Sequence, residues 1–292
     1  MVARSNITPL IVIVGETGGG KSELAIELAE KFKGEIICAD SWTVYRDFDI
    51  GTAKPTAADR AQMPHHLLDV ADPRIGFSAA EYKRLAEKVI KDITSRDKVP
   101  FLVGGTGLYI DSVIFNYGFL PPPSLELRTK LNAIGLPELL AKAEKLELPL
   151  DTIDLQNKRR VIRLIENNGQ QPTKQGLRSD TLVLGLKVPP EVLRVKITQR
   201  VDKMFNAGLE QEVLQLAERY GWEVEPMKGI GYREFHDYFD GKQNLEKTRE
   251  RIISATLNLA KRQRTWLKRN NSIQWIEEQG KVVDLVTTFL NK

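Results

Sequence analysis

The stretch IVIVGETGGGKSELA, residues 11–25, constrains the fold of this chain more than any other. An apolar run leads into a glycine-rich turn, and the turn into Lys-Ser and a helical pattern, so strand, loop and helix must follow one another here. Gly15, four residues, then Gly20-Lys21-Ser22 fits the pattern G-x-x-x-x-G-K-[ST]. Glycines let backbone N–H groups converge on phosphate oxygens, a lysine at this place adds a mobile cation, and the serine hydroxyl can sit on Mg2+. The helix that begins there turns its positive dipole end to the same point. Gly15, Glu16, Thr17, Gly18, Gly19, Gly20, Lys21 and Ser22 are therefore expected to hold a phosphorylated ligand, with Ser22 as the metal-ligating residue. The loop alone leaves open whether that ligand is a nucleotide such as ATP or a bound diphosphate.

Pro9–Val14 reads as a buried strand, and Ser22–Phe32 as a helix with Leu24, Ala25, Leu28, Ala29 and Phe32 on one face. Further buried strands are expected at Glu35–Ala39, ending at Asp40, at Val99–Val103, running into Gly104-Gly105-Thr106, and at Thr181–Val188. Strands that alternate with helices imply a mostly parallel sheet covered on both faces. Between PPPS at 121–124 and QQPTKQG at 170–176 the pattern is helical and charged, without a buried strand. The expected fold class is α/β, a P-loop NTPase-like core with a mostly parallel sheet, interrupted by a small all-helical insertion domain. Residues 1–119 and 180–292 would form the core, and residues 120–179 the insertion.

Composition closes several other routes. Hydrophobic residues make up 41% and charged residues 28%, as in globular proteins, and no apolar run approaches the roughly 18 residues of a membrane span. The N-terminal MVARSNITPLIVIVG leads straight into the glycine loop rather than to a small-residue cleavage site, so no signal peptide is expected and the cytoplasm is the default location. A single cysteine, Cys38, excludes an intrachain disulfide framework, and with only His65, His66 and His236 beside it no His/Cys zinc site can be built. The net charge is only +4, but basic residues cluster in KRRVIR at 158–163 and KRQRTWLKR at 261–269. Clustering of this kind is the electrostatic footprint of a nucleic-acid binder.

Asp40 ends a buried strand, at the side of an open α/β sheet where ligands bind. It reads as a turn carboxylate, as a magnesium-holding aspartate, or as a general base beside the loop. The second reading lacks a partner, since no other apolar strand runs into a carboxylate.

ADSWTVYRDFDIGTAKP at 39–55, VGGTGLYI at 103–110, PHHLLDVADP at 64–73, RRVIRLIE at 159–166, IGYREF at 230–235 and AKRQRTWL at 260–267 together resemble the tRNA dimethylallyltransferase family, also called tRNA isopentenyltransferases. The resemblance covers nearly the whole chain. It implies a loop that holds dimethylallyl diphosphate, Mg2+ as cofactor, and transfer of the prenyl group to an adenosine on the 3′ side of a tRNA anticodon. Asp40 would be the general base, with Thr106 and Arg200 holding the diphosphate as the other catalytic positions. The implied contacts to the tRNA anticodon stem-loop are Asp40, Ser41, Trp42, Thr43, Thr106, Arg128, Arg159, Arg160, Arg163, Lys228, Gly231, Tyr232, Arg233, Lys261, Arg262, Gln263, Arg264 and Lys268. A monomer is implied as well. Alternatives are prenyl transfer to a free adenine nucleotide, an ATP-dependent kinase or nucleotidase, and a catalytically idle RNA-binding protein.

On a helical wheel Ile252, Ile253, Thr256, Leu259, Ala260, Gln263, Trp266 and Leu267 share a stripe, while Lys261, Arg262, Arg264, Lys268 and Arg269 fall elsewhere. Trp266 therefore reads as core and the basic residues as an RNA face. Three departures from the family stand out. Glu16-Thr17-Gly18-Gly19 replaces the usual Pro-Thr-Ala-Ser, Thr43 replaces a glutamine and Leu257 an arginine. A carboxylate at Glu16 is unwelcome beside a diphosphate unless it points away.

Overall fold

The computed structural model describes residues 9–276 and 279–291. Residues 1–8, part of the stretch read for a signal peptide, lie outside the described residues. Two compact units emerge, one running to Ile114 and resuming at Leu177, the other Phe115–Gly176.

The larger unit is built on a six-stranded sheet: β1 (Leu10–Gly15), β2 (Gly34–Ala39), β3 (His65–His66), β4 (Val99–Gly104), β5 (Thr181–Leu186) and β6 (Ile273–Ile276). Its order is β3-β2-β4-β1-β5-β6, and every pairing is parallel. LIVIVG and GEIICA are buried along their whole length, without alternation, because helices cover both faces of such a sheet. β5 stops at Leu186, short of Val188, since Pro189 and Pro190 open the helix Pro190–Asn206. One face is sealed by the helix Lys21–Lys31 through Leu24, Ala25, Leu28 and Ala29, packed with Ile11, Ile13, Ile36, Phe101 and Leu184. Fully burying each large apolar side chain of this kind contributes about 1.5–3 kcal/mol. The helix Ala79–Ser95 opens on a capping box of Ser78 and Glu81 and buries Tyr82, Ala86, Ile90 and Ile93.

The edge strands β3 and β6 fall outside the expected set. β3 has two residues, and β6 exposes Gln274 and Trp275 between buried Ile273 and Ile276, so neither carries a readable period. The His pair is structural. His66 Nε2 lies 2.7 Å from Glu35, which also accepts from Arg96 and Lys98, and His65 Nδ1 lies 2.7 Å from the Met63 carbonyl. This ion cluster sits at the start of β2, the opposite end of that strand from Asp40.

Register aligns the other ends. Gly104 is opposite both Val14 and Ala39, and Gly15 is opposite Leu186, so β1, β2, β4 and β5 finish side by side. The helix Leu245–Leu267 then crosses over this edge. It comes so close that a Cβ on Gly105 would lie 2.3 Å from Gln263 Nε2, and one on Gly107 2.3 Å from the Trp266 ring. The Trp266 indole donates to Asp111 at 2.9 Å, which fixes the crossing.

The smaller unit packs the helices Leu125–Ala133, Leu136–Lys145 and Lys158–Glu166 around Leu131, Leu139, Ala143, Val161, Ile162 and Ile165. Two arginines read as RNA contacts are internal fasteners here. Arg128 clamps the buried Glu166 carboxylate, with its Nη2 at 2.5 Å, and Arg163 donates to the Leu120 carbonyl at 3.2 Å. KRRVIR is amphipathic, so only part of its charge can face outward: Arg159 and Arg160 are exposed.

Candidate active site at the strand ends

The glycine-rich loop turns on two left-handed glycines, Gly18 at φ 76° and Gly20 at φ 88°. A residue with a Cβ is strained in that region, which is why glycine recurs here. Gly20 starts the helix Lys21–Lys31 without a side-chain cap, so the helix's first amides point toward the loop's concave side. The Lys21 ammonium donates to the Glu16 carbonyl at 2.7 Å. Burial lowers the Lys21 pKa to about 8, helped by the positive charge of Arg200 and opposed by Asp40 and Glu16. Ser22 is exposed at the first turn.

Two residues of the long helix reach into this loop. Gln263 Oε1 accepts the Thr17 N–H at 2.8 Å, and Arg264 grips the Glu16 carboxylate by both oxygens, through Nε and through Nη2 at 2.9 Å. The family resemblance implies both as tRNA contacts, Arg264 on the basic face and Gln263 within the apolar stripe, and in the structure both face the loop. The wheel sets Gln263 within the apolar stripe and Arg264 just beyond its edge, but it cannot show what they meet, because the loop is 246 to 248 residues away.

Asp40 leaves β2 and turns back on itself, its Oδ1 accepting the Trp42 N–H at 2.8 Å. Its second oxygen has no hydrogen-bond partner among the described residues. Thr106 ties the two strand ends together: its N–H donates to the Ala39 carbonyl at 3.2 Å, and its Oγ1 accepts the Ser41 N–H at 3.0 Å. Arg200, on Pro190–Asn206, is half-buried and donates to the Thr52 carbonyl at 3.3 Å. Burial lowers its pKa from the ordinary value, and the Asp40 charge opposes that shift. Asp40, Thr17, Thr52 and Arg200 face one pocket whose remaining wall includes Val201, Met204, Ile230, Ile252 and Leu259, with Trp42 at its side. The arrangement offers a carboxylate, a half-buried guanidinium with donors to spare and an apolar wall in one space.

Other expected RNA contacts divide by exposure. Thr43 is 6% exposed and Tyr232 1% exposed, so neither side chain can meet a macromolecule. Tyr232 is drawn inward because its hydroxyl donates to Glu212 at 2.8 Å, and Glu212 also accepts the N–H groups of Asp49, Ile50 and Gly51. Gly231, at φ 94°, gives its N–H to Glu234 at 2.9 Å. Lys228, Arg233, Lys261, Arg262 and Lys268 are exposed. Arg233 and Arg262 meet Arg251 and Asn258 around a shallow surface pocket. Glu212 went unread in the sequence: a lone glutamate on a charged helix carries no motif. No cluster of three metal-binding side chains occurs among the described residues. Among those residues no helix is long and apolar enough to cross a membrane.

Comparison with known proteins gives a consistent picture. A family model described as IPP transferase matches residues 43–270. The tRNA dimethylallyltransferase of Lactococcus lactis is 41% identical over 293 residues, covering 97% of this chain and 98% of its own. That of Anoxybacillus flavithermus is 39% identical over 279 residues, covering 92% and 90%. The solved tRNA isopentenylpyrophosphate transferase of Bacillus halodurans superposes with a TM-score of 0.76 at 34% identity over 97% of both chains. A eukaryotic dimethylallyltransferase crystallised acting on tRNA reaches a TM-score of 0.77 at 30% identity, over 92% of this chain and 73% of its own.

Proposed function

The chain belongs to the IPP transferase family, and from that premise we propose that it transfers a dimethylallyl group from dimethylallyl diphosphate to the exocyclic amine of the adenosine on the 3′ side of a tRNA anticodon. The observation that carries the reading is the shared pocket: Asp40 and Arg200 face one space whose other wall is apolar. In this reading the diphosphate lies toward Arg200, the prenyl chain along Val201, Met204, Ile230 and Leu259, and Asp40 within the same space.

The chemistry follows from those positions. The adenine nitrogen bonds to the allylic carbon as the carbon–oxygen bond to diphosphate breaks, and the amine proton passes to the free oxygen of Asp40. Arg200 keeps four of its five N–H donors available for the departing diphosphate, and Lys21 adds a second cation from the loop. Thr106 acts one step back, holding Ser41 and so the Asp40 turn. A magnesium ion suits this donor set, since it keeps several waters and takes substrate phosphate oxygens with one or two protein oxygens, here the exposed Ser22 hydroxyl. Bound there, it would neutralise charge on the diphosphate. The target base must leave its stack to reach the pocket, which a single-stranded anticodon loop makes cheap. Lys261, Arg262 and Lys268, with Lys228 and Arg233, would hold the RNA backbone. The protein would work in the cytoplasm as a monomer.

The test is direct. Purified protein is incubated with dimethylallyl diphosphate, Mg2+ and an unmodified tRNA carrying adenosines beside its anticodon, and the digested nucleosides are read by mass spectrometry. A prenylated adenosine that disappears with Asp40→Ala supports the reading. ATP hydrolysis without that product overturns it.

A further inference from the structure

A carboxylate in the middle of a diphosphate-holding loop is an electrostatic liability. Glu16 is only 6% exposed, so water does little to screen it, and its charge already reaches the Lys21 ammonium. The fold answers from far along the chain. Arg264 takes both carboxylate oxygens, while the preceding Gln263 holds the next peptide N–H, that of Thr17, and Lys21 holds the Glu16 carbonyl. The carboxylate, the carbonyl and the following amide are thus all engaged, and two of the three grips come from the helix Leu245–Leu267. On that helix Lys261 and Arg262 are exposed, while Arg264 is partly buried against the loop.

We infer that Arg264 is a positioning residue of the diphosphate site, cancelling the charge of Glu16 and seating the loop on the long helix, and not an RNA contact. The inference rests on the reading of the loop as the holder of the diphosphate. Its signature is a pair of opposite effects. Removing Arg264 leaves a carboxylate facing the anion, whereas removing the charge of Glu16 frees a guanidinium beside it. A strut with no electrostatic role would instead respond alike to the loss of either partner.

The experiment titrates the full chain with inorganic pyrophosphate in the presence of Mg2+, for the unmodified protein, Arg264→Met, Glu16→Gln and the double variant, with an unfolding midpoint for each. Arg264→Met is expected to weaken binding about tenfold, Glu16→Gln to bind at least as tightly as the parent, and the double variant to recover most of the loss. The KM for dimethylallyl diphosphate follows the same order, and the KM for tRNA stays put. Equal weakening by Glu16→Gln and Arg264→Met overturns the inference, as does an Arg264→Met effect confined to the KM for tRNA. Should Arg264→Met fail to fold, Glu16→Gln carries the test alone, and weaker binding by it overturns the proposal. A parent protein that neither binds pyrophosphate nor prenylates tRNA overturns the reading of the site itself. A parent that does both, with Arg264→Met unchanged, overturns only the role of Arg264.

Discussion

Asp40 and Lys21 make the sharpest demands at the scale of single residues. Asp40→Ala should lower turnover by about 10²- to 10⁴-fold, the worth of a positioned base, with the KM for dimethylallyl diphosphate moving far less. Single-turnover kinetics with quantified prenyladenosine would measure it, and an unchanged rate would remove Asp40 from the chemistry. Lys21 sets a pH limit. Its folded pKa of about 8 lies below the ordinary 10.5, so it gives up its proton as pH rises through about 8. The anion needs the ammonium form, so affinity for dimethylallyl diphosphate should fall as pH climbs from about 7.5 toward about 9. Lys21→Arg should flatten that profile in a calorimetric titration. For folding the sign is the reverse: the unfolded chain binds the extra proton between the two pKa values, so this residue adds stability as pH rises from about 8 toward 10.5. Asp40 can be placed from the sequence at the end of a buried strand, whereas Thr106 and Arg200 are named only through the family resemblance; the structure sets Asp40 and Arg200 around one pocket. Glu16 could be flagged only as an unwelcome charge. Its partner was invisible, since an ion pair spanning 248 residues leaves no local pattern.

At the scale of elements, the long helix and the start of the helix Gly107–Ile114 that follows β4 depend on each other's shape. Gly107 is needed because Trp266 occupies the space where a side chain would go. Gly107→Ala should cost about 1–3 kcal/mol through overpacking, read by urea denaturation, and an unchanged midpoint would mean that the helix yields at no cost. The helix Leu209–Tyr220 bears on the pocket indirectly, through Glu212 and the turn at Asp49, Ile50 and Gly51. Glu212→Ala strands the amides of Asp49, Ile50 and Gly51, and these precede Thr52, the carbonyl that receives Arg200. Turnover should therefore fall together with stability, the latter by about 1–3 kcal/mol. If the kinetics hold while the melting point drops, the 49–52 turn does not position Arg200. The four central strands were readable because burial on both faces leaves unbroken apolar runs. β3 and β6 were not, since an edge strand of two or four residues is held in register by its neighbour rather than by its own composition.

For the molecule as a whole, the modest net charge of +4 conceals a division of labour among its arginines and lysines. Arg128, Arg163 and Arg264 are spent on internal carboxylates and carbonyls, whereas Lys228, Lys261, Arg262 and Lys268 are exposed. Replacing the last three of these with alanine should weaken tRNA binding and reduce the slope of log affinity against log salt by about one for each phosphate that is no longer neutralised. A slope that stays the same would send the RNA to another face. The core's division across an insertion also gives the finished chain a history. Glu16 leaves the ribosome 248 residues before Arg264 does, a lag of roughly 10 to 50 s at ordinary synthesis rates. Throughout that interval the loop is present without the charge that balances it, and the sheet lacks β5 and β6 for much of the time. A chain cut short before the long helix lacks both of that helix's grips on the loop, so premature termination or proteolytic trimming should leave a product that holds pyrophosphate less well than the full chain.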